Sequence, residues 1–157
     1  MVEVTFYTRA NCPLCDTAKA AIAASGVAVR MTEVDIESDP ALHERYTNDI
    51  PVVHINGAEA FRHKVDPTGF AEAAHVLEHG WRIVHDHHLE KSFTFPDFAT
   101  ALAFTNRVGA VAEEHNHHPD IHLGWGNVRI TLWTHTVNRL TRKDYALAAQ
   151  IERLVAS

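Results

Sequence analysis

The run His117-His118-Pro119 most constrains how this chain folds, because a proline disfavours helix at the residue before it and pushes that residue into an extended conformation. Upstream, Phe98, Leu102, Thr105, Val108 and Ala112 recur at spacings of three and four, which predicts a long helix over 97–117 with that stripe facing a core. Glu113 and His117 lie four apart and are expected to share a face near the helix end. Downstream, Val128, Ile130, Leu132 and Thr134 alternate with Arg129, Thr131, Trp133 and His135. That alternation predicts a strand with two unlike faces. A helix end and a strand end thus bring three imidazoles into one part of the chain.

Imidazoles suit general acid–base work near neutral pH. With 13 histidines in the chain, chance neighbours and capping roles compete with that reading. The spacing adds to the case. Glu113, His117-His118-Pro119, Trp125, His135 and Asp144 together resemble the signature of pterin-4a-carbinolamine dehydratases, and the resemblance runs from Gly80-Trp81 to the C-terminus. It implies a hydro-lyase that dehydrates a 4a-hydroxytetrahydropterin to the quinonoid dihydropterin, with no metal or other cofactor. His117, His118 and His135 are then the catalytic candidates, His117 as the acid and the other two as base or ring-binding groups. Glu113, Trp125 and Trp81 are candidate substrate contacts, the indoles as apolar walls for a flat ring, with core packing the competing reading of Trp81. Thr141 to Asp144 forms a capping box, which explains Asp144 as a structural support of the site without chemistry of its own. Proteins of this family often oligomerise, so a homo-oligomer is expected.

The first half carries a different chemistry. Val2–Tyr7 is a predicted strand, followed by Cys12-Pro13-Leu14-Cys15 at the start of an alanine-rich helix that Gly26 closes. A strand over 27–35, a short helix over 40–46, a strand over 50–55, the turn pair Asn56-Gly57, a return strand over 58–63 and a helix from Pro67 complete the order. Cys12 falls at a helix N-terminus, where backbone N–H groups stabilise a thiolate, and Cys15 lies one turn on, placed to resolve a mixed disulfide. Half a metal site and two inert thiols are the other readings, but a zinc site needs two further ligands and no second C-x-x-C is present. This half resembles a small glutaredoxin-like domain. The resemblance implies a thioredoxin-like α/β fold, dithiol exchange with a thiol or disulfide partner, and a cis-proline at Pro51 facing the cysteine. The segments Asp49-Ile50-Pro51 and Asn56-Gly57-Ala58-Glu59 depart from the glutathione-binding pattern, so fold and chemistry carry over without that ligand.

Two domains are expected, 1–78 and 79–157, with no Gly/Ser/Pro linker and one helix serving as a rigid joint. In the second, two hairpins each followed by a helix imply an α+β fold, an antiparallel four-stranded sheet with helices on one face. His85, His87 and His88 are assigned to a solvated turn with no role. A formal charge of -6 disfavours a nucleic-acid partner. No apolar run reaches membrane-spanning length, no leader is expected, and a single C-x-x-C suits a reducing cytoplasm. The competing function is a thiol–disulfide oxidoreductase whose C-terminal half only binds a pterin or mediates oligomerisation.

Overall fold

The computed structural model describes residues 1–156. Two compact units divide the chain, Met1–Ala74 and His75–Ser157, and the boundary falls within one helix. In the first unit the order is β1 (Val2–Thr8), α1 (Pro13–Ala24), β2 (Val29–Asp35), a 3-10 turn (Ile36–Ser38), α2 (Pro40–Tyr46), β3 (Val52–Ile55), β4 (Ala58–Arg62) and α3 (Pro67–Glu78). The sheet order is β2-β1-β3-β4, with β1 parallel to β2 and antiparallel to β3. A parallel pair needs a crossover, and α1 supplies it. Strand β1 is interior, paired on both sides by β2 and β3, and Val2, Val4 and Phe6 on one of its faces are all buried. Asn56 and Gly57, at φ 51° and 89°, give the left-handed pair that a tight β3–β4 hairpin turn requires. Asp39 caps α2 by accepting the Ala41 N–H at 2.9 Å, with Pro40 at the first helical position. The Ile50–Pro51 peptide bond is cis.

The second unit contains β5 (Arg82–Val84), β6 (His88–Thr94), α4 (Phe98–His115), β7 (Asp120–Leu123), β8 (Asn127–Leu132) and α5 (Arg142–Ala156). Its sheet runs β5-β6-β8-β7, every pair antiparallel. Leu89, Phe93, Val128, Ile130 and Leu132 are buried on one face, beneath α4 and α5. The Phe104 ring of α4 sits 5.0 Å from that of Phe93. The other face is polar: Glu90 pairs with Arg82 at 3.3 Å and with Arg129 at 3.5 Å. Two hairpins, each followed by a helix, thus produce the antiparallel four-stranded sheet expected from the sequence. Among the described residues, no helix is long and apolar enough to cross a membrane.

Two expectations about α4 need correction. Its buried stripe is Ala101, Phe104, Val108 and Ala112, while Phe98 and Leu102 are 45% and 40% exposed. Two apolar series share Val108 and Ala112, and the one that seats Phe104 against Phe93 and Phe95 takes the core. Nor does Pro119 end the helix. Asn116 does, in a left-handed conformation at φ 48°, its N–H and that of His117 turning back to Ala112 O. His117 therefore lies beyond the helix.

Of the two readings of Trp81, its surroundings favour core packing: it is 2% exposed and packs edge-on against Phe93 at 6.0 Å. Its Nε1–H donates to Glu152 Oε1 at 2.8 Å, and Lys91 Nζ donates to the same oxygen. The buried indole N–H needs this acceptor, whereas Lys91 also donates to the His79 carbonyl. Glu152→Ala is expected to destabilise the protein by roughly 1–3 kcal/mol, the cost of leaving the buried indole N–H unpaired. Denaturant unfolding measures it, and an unchanged midpoint would show that the indole N–H finds another acceptor.

Candidate functional site

The hairpin β7–β8 assembles the site. Asp120 pairs with Thr131, so residues just before β7 lie beside those just after β8. His117 and His118 come from the first group, Thr134 and His135 from the second. The start of α5 then returns to the same end. Asp144, on its first turn, is 0% exposed and accepts hydrogen bonds from three elements. Its Oδ1 lies 2.6 Å from His117 Nε2. Its Oδ2 accepts the Thr134 hydroxyl at 2.8 Å and the Thr141 backbone N–H at 2.9 Å.

These contacts fix where the protons are. Asp144 Oδ1 serves as the acceptor, so His117 presents Nε2–H to Asp144. The Thr134 hydroxyl donates to Asp144, so the Thr141 hydroxyl, 2.7 Å away, must donate to Thr134. Thr141 Oγ1 in turn accepts the Lys143 N–H at 3.3 Å, which completes the capping box. Asp144 is therefore both the helix cap expected from the sequence and the partner that orients His117. The expected Glu113–His117 pairing is not formed, because Asn116 turns the chain out of the helix first. Glu113 instead lies 3.4 Å from His118, both well exposed.

His135 is exposed and packs edge-on against Trp133, ring centroids 4.4 Å apart. Trp125, 71% exposed, stands in the β7–β8 turn. The six residues of β8 separate that turn from His135. At a strand rise of ~3.3 Å per residue, the separation is about 20 Å. Trp125 and His135 therefore stand at opposite ends of β8. His87 and His88, assigned above to a solvated turn, are half-buried against Trp133 at 5.4 and 6.1 Å. The alternation that put Trp133 and His135 on one face was the available signal, but the partner hairpin was not legible from it. Among the described residues, no group of three or more His, Cys, Asp or Glu is placed to hold a metal ion.

The second chemical feature lies in the first unit. Cys12 caps α1, its sulfur accepting the Cys15 N–H at 3.2 Å, and the two cysteines form a disulfide with Cα atoms 5.2 Å apart. Cys12 is partly exposed and Cys15 is 1% exposed. A cleft of about 490 Å³ opens beside Cys12, lined by Arg9, Asn11, Asp16 and Lys19 among others. A smaller one of about 280 Å³ lies beside Leu14, against His63, Lys64 and Val65. Pro51 is buried, and its carbonyl accepts the His63 N–H at 2.9 Å. Asp49, two residues before it, is 3.3 Å from the Arg62 guanidinium and 3.7 Å from His63.

An α+β domain with a histidine–carboxylate pair at one end of its sheet, preceded by a mixed sheet bearing a helix-capping dithiol, defines a two-part protein with acid–base and thiol groups in separate units. Comparison with known proteins agrees with both parts. Residues 63–154 match the family described as pterin 4 alpha carbinolamine dehydratase, and residues 3–73 match a glutaredoxin-like domain. A Rubrobacter xylanophilus protein provisionally named pterin-4-alpha-carbinolamine dehydratase is 53% identical over 75 residues, covering 48% of this chain and 70% of that one. An Alkaliphilus metalliredigens protein with the same provisional name is 44% identical over 77 residues, covering 49% of this chain and 69% of its own. A crystal structure described as a transcriptional coactivator/pterin dehydratase from Brucella melitensis is similar at a TM-score of 0.48 and 30% identity, over 52% of this chain and 90% of that one. The chain belongs to the pterin 4 alpha carbinolamine dehydratase family and carries an N-terminal glutaredoxin-like domain.

The exposure of the two sulfurs predicts their order of reaction. After reduction, Cys12 should be alkylated at least tenfold faster than Cys15, since the thiolate at a helix N-terminus is the nucleophile and Cys15 is shielded. Mass mapping of timed iodoacetamide reactions measures both rates. Equal rates would remove the asymmetry on which dithiol exchange depends.

Proposed function

We propose that this protein dehydrates a 4a-hydroxytetrahydropterin to the quinonoid dihydropterin by histidine acid–base chemistry, and that its first unit carries out thiol–disulfide exchange. The observation that carries the first half is the bond from His117 to the buried Asp144, at the sheet end shared with His118 and His135. With Nε2–H committed to Asp144, Nδ1 is the nitrogen of His117 that exchanges a proton with substrate. Positive charge on the ring then faces a fixed carboxylate, the logic of a histidine oriented by a buried aspartate.

The reaction needs one proton delivered and one removed. An acid protonates the departing 4a-hydroxyl, which leaves as water, while a base takes the proton from ring nitrogen and the electron pair closes the new double bond. His117 is the acid in this reading. His118, beside Glu113, and His135, on Trp133, are base and ring-binding groups. Metal and redox cofactors have no step to perform.

The order β2-β1-β3-β4, with the dithiol at the start of α1, supports a thioredoxin-like fold for the first unit. Cys12 thiolate attacks a partner disulfide, releasing one thiol. Cys15 then attacks the mixed disulfide, releasing the second and leaving the Cys12–Cys15 bridge. A cellular thiol must reduce that bridge for another turnover. Pro51 belongs to the same redox site in this reading. The protein would then work where thiols are kept reduced, as in cytoplasm.

His117→Ala and His118→Ala should each slow dehydration by about two to four orders of magnitude, the usual share of general acid–base catalysis. Stopped-flow assays with a synthetic 4a-hydroxytetrahydropterin give the rates, and chelators should leave the parent rate unchanged. Full activity in both variants would favour the other reading, a thiol oxidoreductase whose second unit binds pterin without turning it over. Self-association is the other expectation, since β7 is an edge strand that a neighbouring chain can pair with or cover. Light scattering at micromolar concentration should give a multiple of 17.5 kDa, and a mass of one chain would count against it.

A further inference from the structure

The turn that carries His135 is held by residues to which the proposed reaction assigns nothing. His135 to Asn138 form a tight loop closed by Thr134 and Arg139, whose backbones pair at 3.0 Å. At the first position of the loop, the His135 ring meets the Trp133 indole edge-on, centroids 4.4 Å apart and planes at 86°. At the last position, Asn138 adopts a left-handed conformation, φ 52°, and its Oδ1 lies 2.9 Å from His87 Nε2. His87 also packs on Trp133 at 5.4 Å. The β5–β6 hairpin therefore reaches across to both ends of the loop.

That hairpin is itself well fixed. His85 and Asp86, at φ 53° and 52°, make the left-handed pair of a type I′ turn, closed by the His87 N–H on Val84 O at 3.0 Å. Because the Asn138 oxygen accepts, His87 carries its proton on Nε2 and leaves the Nδ1 lone pair facing His88 Nδ1 at 3.1 Å. His88 must then donate, which a neutral ring with its proton on Nδ1 does. Burial, reinforced by the neighbouring His87, holds the His88 pKa below the ordinary imidazole value and outweighs the opposing pull of Glu90.

We propose that Trp133 and His87 are positioning residues for His135: the histidine turn between β5 and β6 clamps the loop that carries the third imidazole. The proposal rests on the dehydratase reading of His135. These contacts lie on the polar face of the sheet, away from the helices. They order a surface loop that would otherwise sample many conformations, and such preorganisation is what a reacting group requires.

The test is a double-mutant cycle on the full chain. Trp133→Leu should lower kcat for dehydration by about 10- to 100-fold with KM within roughly twofold, the size expected when a group is misplaced by about an ångström. Trp133→Phe, which keeps a ring against His135, should recover most of the rate. His87→Phe, which keeps the stacking and loses the bond to Asn138, should fall between. In a His135→Ala background, Trp133→Leu should cost nothing further, because the group it positions is gone. The His135 ring-proton resonances should also shift in Trp133→Leu as the indole is removed, while the circular dichroism spectrum stays that of the parent. Additive losses in the cycle, or His135 resonances indifferent to Trp133, would overturn the clamp while leaving the dehydratase assignment standing. A His135→Ala protein as fast as the parent would remove His135 from the reaction and the clamp with it.

Discussion

A carboxylate taken wholly out of water must have its lone pairs met, and Asp144 governs the histidine end of the second unit because it meets that demand from three directions. His117 reaches it from beyond α4, Thr134 from beyond β8, and Thr141 from the backbone at the start of α5. None of these segments is regular at the point of contact. Each leaves a helix or strand and would be a loose end without the shared anion. The relay from Lys143 N–H through Thr141 and Thr134 ends on Asp144, so the knot has a direction as well as a location. It leaves Nδ1 as the His117 nitrogen not committed to Asp144.

Local rules carried much of the architecture. Val2 to Tyr7 and Asn56-Gly57 each have one dominant backbone outcome, so much of the first unit could be placed from the sequence. The alternation after Asn127 likewise gave β8 and its buried face. What could not be read was longer in range. Glu113 and His117 satisfy helical spacing, but one left-handed residue, Asn116, removes the helix between them. The true partner, Asp144, lies 27 residues away and is reached only through the fold. Trp81 and Trp125 look alike in a sequence. Only the fold shows that a buried Glu152 accepts the indole N–H of the first and that the second stands exposed in the β7–β8 turn.

The dithiol shows a related economy. N-caps are usually Ser, Thr, Asp or Asn, whose oxygens accept a first-turn N–H. Cys12 fills that position with sulfur, and the N–H it accepts belongs to Cys15. The proposed reacting atom is thus also the atom that starts the helix. Charge on that sulfur is met by the same backbone group that a neutral cap would use.

A residue that serves both the fold and the site is constrained twice over the history of a lineage. Losing Asp144 would remove the N-cap interactions of α5 and strip a hydrogen bond from Thr134, whatever became of the chemistry. His118 and His135 are exposed, and their contacts, with Glu113 and Trp133, lie outside the α5 cap. A descendant that gave up the reaction could therefore shed those imidazoles by drift and keep its sheet, but the aspartate would go last. In such a lineage, the surviving aspartate would record ancestry of fold, and on the proposed chemistry only the histidines would record the activity.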